Sequence, residues 1–280
     1  MVNSEAQAPY ISIIIPAYNE ERRLPNTLND VLKFMRAQSW TSEVIVVDDG
    51  SEDGTSDVAL SFARRNASVR VLRYTPNRGK GYAVNRGMMA SRGRFALFSD
   101  ADLSTPIEEL TKLLLPLERG ECDIAIASRA LPESELAIRQ PFFRETLGRT
   151  FNVFVQALLL PGIHDTQCGF KCFRREVIHE IFARQRIFGF AFDVEILFIA
   201  RSLGYRIREM PVRWINSPET KVKLLKHGPQ MLWQLMQIRW NAWWRVYSYE
   251  ADAILHITPM ELRPSSSNCD GLEAECNRNS

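Results

Sequence analysis

At 280 residues, 45% hydrophobic and 24% charged, the chain can bury a substantial core and is neither a fibrous repeat nor globally disordered. Its formal net charge of +2 excludes the strongly basic surface that wraps nucleic acid, so no nucleic-acid partner is expected. The five cysteines are odd in number and lack the paired CxxC spacing of a zinc site, so all are read as reduced thiols.

Met1 to Pro9 has neither the basic start nor the apolar stretch of a signal peptide, and the expectation is a chain that stays cytosolic. No segment reaches the roughly 18 uninterrupted apolar residues of a spanning helix. The nearest, Phe151 to Ile163, is short and contains Asn152 and Gln156.

From Tyr10 to Arg129, short β-branched runs alternate with amphipathic helical patterns, the signature of a mostly parallel sheet covered by helices. Strands are expected at 11–15, 43–47, 69–72, 95–98 and 123–127, each nearly continuous in apolar residues as burial on both faces requires. Leu24, Leu28, Val31 and Met35 recur at helical spacing. Thr105-Pro-Ile-Glu108 predicts a helix start, with Thr105 as cap, Pro106 at the first helical position and Glu108 completing a capping box. Beyond Arg129 the pattern predicts a helical segment over 142–160, a loop over 161–170, a helix over 191–203 closed by Gly204, and a strand pair within 205–214. Between Lys221 and Tyr247, basic side chains mix with Leu, Met and four tryptophans, which suits a membrane interface or, equally, a helix packed on the core. The stretch 259–280 is poor in large apolar residues and is expected to be disordered.

Four polar turns follow strand ends, where ligands bind in open α/β sheets. In Pro16-Ala-Tyr-Asn-Glu20, Tyr18 can stack on a base while Glu20 and, from the next turn, Asp49 accept from base or ribose donors; the competing reading is a strand followed by a helix cap. In Val46-Val-Asp-Asp-Gly-Ser51, one of Asp48 and Asp49 should face the pocket and the other satisfy turn amides, while Asp53 suits a cap of the next helix. Asn77-Arg-Gly-Lys-Gly81 could cradle a phosphate through close backbone approach and the charge of Arg78 or Lys80, although a solvated turn fits it too. Phe98-Ser-Asp-Ala-Asp102 sets two carboxylates at i and i+2 after an apolar strand, which suits a hard cation such as Mg²⁺ or Mn²⁺ bridging a diphosphate.

Taken together, PAYNE at 16–20, VVDDGS at 46–51, NRGKG and DAD resemble family-2 glycosyltransferases of the GT-A fold over about residues 10–225. Ser128-Arg129, Asp165-Thr-Gln-Cys-Gly-Phe-Lys171, Phe190-Ala-Phe-Asp-Val-Glu195 and Pro211-Val-Arg-Trp214 are similar to the dolichyl-phosphate β-glucosyltransferase branch, neighbours of the dolichyl-phosphate mannose synthases. The resemblance implies a Rossmann-like, mostly parallel sheet with C-terminal amphipathic interfacial helices. It implies a donor nucleotide at Pro16, Ala17, Tyr18, Glu20 and Asp49 with Lys80 and Asp100, and Mg²⁺ or Mn²⁺ at Asp100 and Asp102. Its acceptor is a polyprenyl phosphate, bound at Arg129 and Arg144 with Gln167 nearby, and Asp102, Arg129 and Asp193 are its expected catalytic residues. Ser104 stands where mannose synthases carry a Gln two positions after the second metal carboxylate, which weighs against a third metal ligand there.

The expected organisation is a tail at 1–9, a glycosyltransferase domain at 10–218 with a nucleotide-sugar half (10–129) and an acceptor half (130–218), an amphipathic helical segment at 219–258 and the tail 259–280. The expected activity is inverting transfer of glucose from UDP-glucose to the lipid phosphate by an enzyme peripheral to the cytosolic face of a membrane. The alternatives are GDP-mannose as donor, a hydroxyl acceptor with Asp193 as general base, a sugar-phosphate nucleotidyltransferase, and a non-catalytic binding protein that keeps the fold. His164 reads as a loop histidine, and Cys168 and Cys172 as structural.

Overall fold

The near-continuous apolar runs become the centre of one sheet. The computed structural model describes residues 8–138, 142–215, 224–248 and 260–262, without the side chains at 138, 142–147, 149, 224–227, 229 and 260–262. The elements in order are β1 (Ile11–Ala17), α1 (Leu24–Arg36), β2 (Ser42–Asp48), α2 (Thr55–Arg65), β3 (Val69–Arg73), α3 (Lys80–Ala90), β4 (Phe95–Ser99), α4 (Leu110–Glu118) and β5 (Ile124–Ser128). There follow β6 (Glu135–Ile138), α5 (Phe142–Leu158), β7 (Phe170–Arg174), α6 (Arg175–Phe182), α7 (Phe192–Ser202), β8 (Ile207–Pro211), β9 (Arg213–Ile215), α8 (Leu224–Trp243) and β10 (Met260–Leu262).

The main sheet has the order β10-β3-β2-β1-β4-β7-β5-β8. Strands β3, β2, β1 and β4 run parallel, as do β5 and β8, while β7 lies antiparallel between β4 and β5. All seven residues of β1 are buried, because helices cover both faces. Successive side chains of a strand point to opposite faces, so Ile13 and Ile15 join the core under α1, α2 and α4, while Ile14 joins the core under α3, α6 and α7. Phe98, fully buried among Phe173 and Phe192, is the type of side chain whose truncation costs about 3–5 kcal/mol.

The five expected strands and the apolar face of α1 match the structure to within one or two residues. Gly204 is the left-handed residue after α7, with φ 85°. Other expectations need correction. Thr105 caps nothing: the chain enters α4 through a 3₁₀ turn at Ile107–Glu109 that begins after Pro106 without a side-chain cap. Thr105 is instead drawn into the core, its Oγ1 3.6 Å from the Cys168 Sγ. The strand pair expected within 205–214 is two strands with different partners: β8 extends the main sheet beside β5, and β9 forms a separate two-stranded sheet with β6. Residues 170–174, placed partly in a loop by sequence, form β7. Met260–Leu262 pairs with β3 inside the stretch expected to be disordered.

Candidate active site

The carboxyl ends of β1, β2, β4 and β5 converge on one edge of the sheet, joined there by the turn preceding α3.

Pro16 and Ala17 close β1 in register with Val47 and Asp48, and Tyr18 then emerges with 37% of its surface exposed. Asn19 adopts a left-handed φ of 54°, its amide donating to the Ser51 Oγ and its Oδ1 accepting from the Glu52 amide. This clip locks the β1 and β2 turns together. Glu20, expected at the nucleoside, is engaged otherwise: its carboxylate takes both Nε and Nη2 of Arg23 at 2.7 Å, and its amide donates to Thr55 Oγ1.

Of the aspartate pair, Asp48 is fully buried and satisfies the Ser51 amide at 2.9 Å and the Ser56 hydroxyl. Asp49 holds the basic turn, accepting from the amides of Arg78 (2.7 Å) and Gly79 (2.9 Å) and from Asn77 Nδ2 (2.9 Å). Burial pushes the Asp49 carboxyl up from its ordinary range, and these donors only partly offset it. Asp49 therefore shapes the basic turn rather than standing open. Asp53, expected as the cap of α2, stands one residue before it: Gly54 is the cap residue and has no side chain to bond with, while Asp53 Oδ1 accepts from the first amide of the helix, that of Thr55, at 3.0 Å.

The basic turn separates its two cations. The Arg78 guanidinium lies over the Tyr82 ring, 4.7 Å from its centroid. Lys80 alone turns inward, its Nζ 2.5 Å from Asp100 Oδ1. Burial would lower the Lys80 ammonium pKa, but Asp100, with Asp193 and Asp102 beyond it, outweighs that and raises it.

Asp100 and Asp102 are both partly exposed at the end of β4. Asp102 Oδ1 accepts from the Ser104 amide at 2.9 Å, which orients that carboxylate. Against Asp100 lies Gly169, at the mouth of β7. Its carbonyl accepts from the Asp100 amide at 3.1 Å, and a Cβ at Gly169 would fall 2.2 Å from Asp100 Oδ2. Among the described residues no group of three or more His, Cys, Asp or Glu could hold an ion. Two hard oxygen carboxylates nonetheless fit Mg²⁺ or Mn²⁺, which keep water and substrate phosphate oxygens as their other ligands.

Arg129 follows β5 directly, and its Nε and Nη2 bind the Asp165 carboxylate at 2.7 and 2.9 Å while its amide donates to the same group. Its guanidinium also lies over Trp214, 5.5 Å from the ring centroid. Burial alone would lower the Arg129 pKa and raise that of Asp165, but their mutual attraction prevails and keeps both charged. Gln167 has a buried Nε2 without a hydrogen-bond partner, a donor aimed at nothing else described. Helix α5 carries Arg144, whose side chain lies outside the described residues.

Asp193 is not placed as a base would be. It is 3% exposed, and its Oδ1 is 2.5 Å from the Nζ of Lys171, which is itself fully buried and donates to the Cys168 carbonyl at 2.6 Å. Burial raises the Asp193 carboxyl, with Lys171 and Lys80 opposing. Cys122, Cys168 and Cys172 are buried free thiols, with burial pushing Cys168 up to about 11; Cys269 and Cys276 lie outside the described residues. His164 is an exposed loop residue held by Glu209 at 2.9 Å.

A family model described as Glycosyl transferase family 2 matches residues 12–182. The chain belongs to glycosyltransferase family 2. It is 38% identical to the dolichyl-phosphate beta-glucosyltransferase of Dictyostelium discoideum over 83% of this chain and 74% of that protein. With the enzyme of the same name from Drosophila melanogaster it shares 41% identity over 76% and 69% of the two chains, and with that of Homo sapiens 38% over 83% and 77%. These matches place the chain in the dolichyl-phosphate β-glucosyltransferase-like branch of the family. A solved structure of glucosyl-3-phosphoglycerate synthase from Mycobacterium tuberculosis, in complex with Mn²⁺, UDP and phosphoglyceric acid, superposes with a TM-score of 0.63 at 19% identity, covering 87% of this chain and 80% of that one. Another, with Mg²⁺ and UDP, gives 0.61 at 18% identity, over 91% and 88%. The fold is GT-A, and the protein is a glycosyltransferase.

Sequence reasoning missed Gly169, Asp165 and Trp214 as parts of this rim. Asp165 and Gly169 stand in the 165–171 run and Trp214 in the 211–214 run, but only the insertion of β7 beside β4 shows what they touch.

The C-terminal helix settles one open alternative and leaves another face uncovered. Met231, Leu235 and Ile238 of α8 are buried on the core, while Trp233, Trp240 and Trp243 are 67%, 65% and 81% exposed. Val153, Phe154 and Leu158 of the neighbouring α5 are exposed as well. Among the described residues no helix is long and apolar enough to cross a membrane. Lys221 and Lys223, and the side chain of Lys226, lie outside the described residues.

Proposed function

We propose that this glycosyltransferase transfers glucose from UDP-glucose to dolichyl phosphate, inverting the anomeric carbon and releasing UDP. The observation that carries the choice of acceptor is the sealed Lys171–Asp193 pair. A hydroxyl acceptor would need a carboxylate free to take its proton, whereas a phosphomonoester oxygen is already anionic near neutral pH and attacks without one. The names of the relatives and the UDP held by the structural neighbour support the same donor and acceptor.

In this reading Pro16, Ala17 and Tyr18 flank the nucleoside, Glu20 and Asp49 hold that rim in shape, and Lys80 meets the donor diphosphate. Asp100 and Asp102 would hold Mg²⁺ or Mn²⁺, which supplies positive charge to the departing diphosphate. Asp165 occupies one edge of the Arg129 guanidinium, leaving its Nη1 hydrogens for the acceptor phosphate, with Arg144 and the unpartnered Gln167 amide as further donors. The lipid oxygen attacks the anomeric carbon, the bond from that carbon to the UDP oxygen breaks, and the electron pair leaves with UDP. Positioning and charge neutralisation account for the rate. The apolar outer face of α8 and α5 rests on the cytosolic face of the membrane that carries the acceptor.

The test is transfer of label from UDP-glucose or GDP-mannose to a short polyprenyl phosphate, with metal and with EDTA, beside Asp102→Asn. Metal-dependent labelling of lipid from UDP-glucose, lost in the variant, is expected. Preference for GDP-mannose would overturn the donor, and transfer of glucose to a sugar or protein hydroxyl, with UDP released, would overturn the acceptor.

A further inference from the structure

A strap of chain, residues 185–191, is clamped between the donor turn and the C-terminal segment. On the donor side, the Phe188 carbonyl accepts from the Gly81 amide at 3.0 Å, in the first turn of α3. The same carbonyl would lie 2.9 and 2.8 Å from Cβ atoms at Gly79 and Gly81, so the strap closes on both glycines of the turn. The Phe188 ring meets Tyr82 edge-on at 5.3 Å, and Gln185 Nε2 reaches the Gly81 carbonyl at 3.3 Å. On the other side, Glu195 is fully buried, and its Oε2 accepts from the amides of Arg186 (3.0 Å) and Ile187 (2.7 Å). Its Oε1 accepts from the Tyr247 hydroxyl at 2.8 Å. Gln234 of α8 adds a second tie, its Oε1 accepting from the Ala191 amide at 3.3 Å.

We propose that Tyr247 and Glu195 are positioning residues for the donor turn: through the strap they fix the backbone at Gly79 to Gly81 and so set affinity for the nucleoside diphosphate. The physical ground is that Lys80 sits between the two glycines. Its ion pair with Asp100 depends on a backbone with little conformational preference of its own, and the strap supplies the missing constraint. The carboxylate of Glu195 has no route to the reacting atoms, and it acts only through the strap. The tryptophan-bearing segment is thereby a component of the donor site as well as a surface.

The inference rests on reading 77–81 as the donor turn, and the experiment separates the two. The 280-residue chain with Mn²⁺ is titrated with UDP by calorimetry, and KM is measured for UDP-glucose and for a short polyprenyl phosphate. Tyr247→Phe keeps the ring against Phe198 (6.0 Å between centroids) and removes only the hydroxyl. It is expected to weaken UDP binding and raise the UDP-glucose KM about fivefold to tenfold, as loss of one hydrogen bond to a buried carboxylate implies. The acceptor KM should stay within error, and the melting temperature should fall by only a few degrees. Glu195→Ala is expected to exceed that loss, and Glu195→Gln, which can still accept from the two amides, to recover most of it. Lys80→Ala is the control for the donor turn. If it weakens UDP while Tyr247→Phe does not, the strap does not set donor affinity and the proposal fails. If Lys80→Ala leaves UDP binding unchanged, the donor-turn reading fails first. Equal rises in both KM values for Tyr247→Phe would mark a general loosening and also overturn the proposal. Should Glu195→Ala not fold, Gln234→Ala beside Tyr247→Phe carries the same comparison.

Discussion

Adding one methyl group at Gly169 should disable the carboxylate pair while leaving the fold nearly intact. Gly169 does not have a positive φ, so alanine costs the backbone little. Its Cβ, however, would lie 2.2, 2.4 and 2.5 Å from Oδ2, Cγ and Oδ1 of Asp100, about 1 Å inside the ordinary contact distance. The main chain cannot retreat easily, because the Asp100 amide donates to the Gly169 carbonyl at 3.1 Å and Ser99 pairs with Phe170 in the ladder. The short Asp100 side chain must rotate instead, leaving Lys80 Nζ at 2.5 Å and its place beside Asp102. Rotation off its preferred position costs folding only about 1 kcal/mol. Misdirecting a preorganised charge in an active site costs about 3–4 kcal/mol of transition-state stabilisation, or about 10²–10³ in rate. The assay is glucosyl transfer at saturating UDP-glucose across a Mn²⁺ titration, with thermal unfolding in parallel. Gly169→Ala should unfold within a few degrees of the wild type, and its rate should fall to near that of Asp100→Asn. Wild-type rate and metal dependence in Gly169→Ala would refute the reasoning.

Asp165→Asn should loosen Arg129 and raise the acceptor KM about tenfold or more, with the UDP-glucose KM unmoved, because one charge-assisted bidentate contact is lost; an unchanged acceptor KM would remove Arg129 from acceptor binding. Asp193→Asn strands the buried Lys171 ammonium, which costs about 3–5 kcal/mol of stability. The surviving folded enzyme should keep a rate within about tenfold of wild type and an unaltered pH profile, whereas loss of a basic limb would make Asp193 a base after all. Burial pushes the Glu195 carboxyl up to about 7, so the folded state holds a proton there that the unfolded chain, with an ordinary carboxyl near pH 4.5, has released. Its contribution is fully present below about pH 4.5 and is lost as pH rises to about 7, by roughly 3 kcal/mol; denaturation of Glu195→Gln and wild type across that range should show the slope only in the wild type. Replacing Trp240 and Trp243 together by Ala should weaken sedimentation with anionic vesicles about tenfold or more without changing UDP binding, and unchanged sedimentation would remove α8 from the membrane.

Much of the fold between residues 10 and 129 was legible because its signals are local. The runs 11–15, 43–47 and 95–98 are apolar at every position but Ser12 and Glu43, and burial on both faces leaves few other ways to fold them; the polar turns after them are contiguous in sequence with the strands that aim them. The carboxylates Asp100 and Asp102 could be paired from an i, i+2 spacing alone. Elements whose partners are distant were harder to read. The β7 run 170–174 carries Lys171 and Arg174 among its apolar residues, and nothing local says that it enters the sheet antiparallel between β4 and β5.

The sequence by itself determined the GT-A fold class, the family and the residues at the ends of β1, β2 and β4, since periodicity, strand-end acids and ordered motifs all lie within short windows. The tertiary structure alone decided which partners these residues take. It turned Asp49 onto the amides of Arg78 and Gly79 and Glu20 onto Arg23, and it buried Asp193 beneath Lys171. It also set Gly169 against Asp100, a contact across 69 positions of chain that no local pattern encodes. The physical reason is that a charged side chain takes the partner that burial forces on it, and burial is a property of the packed sheet and its helices, not of the residues on either side.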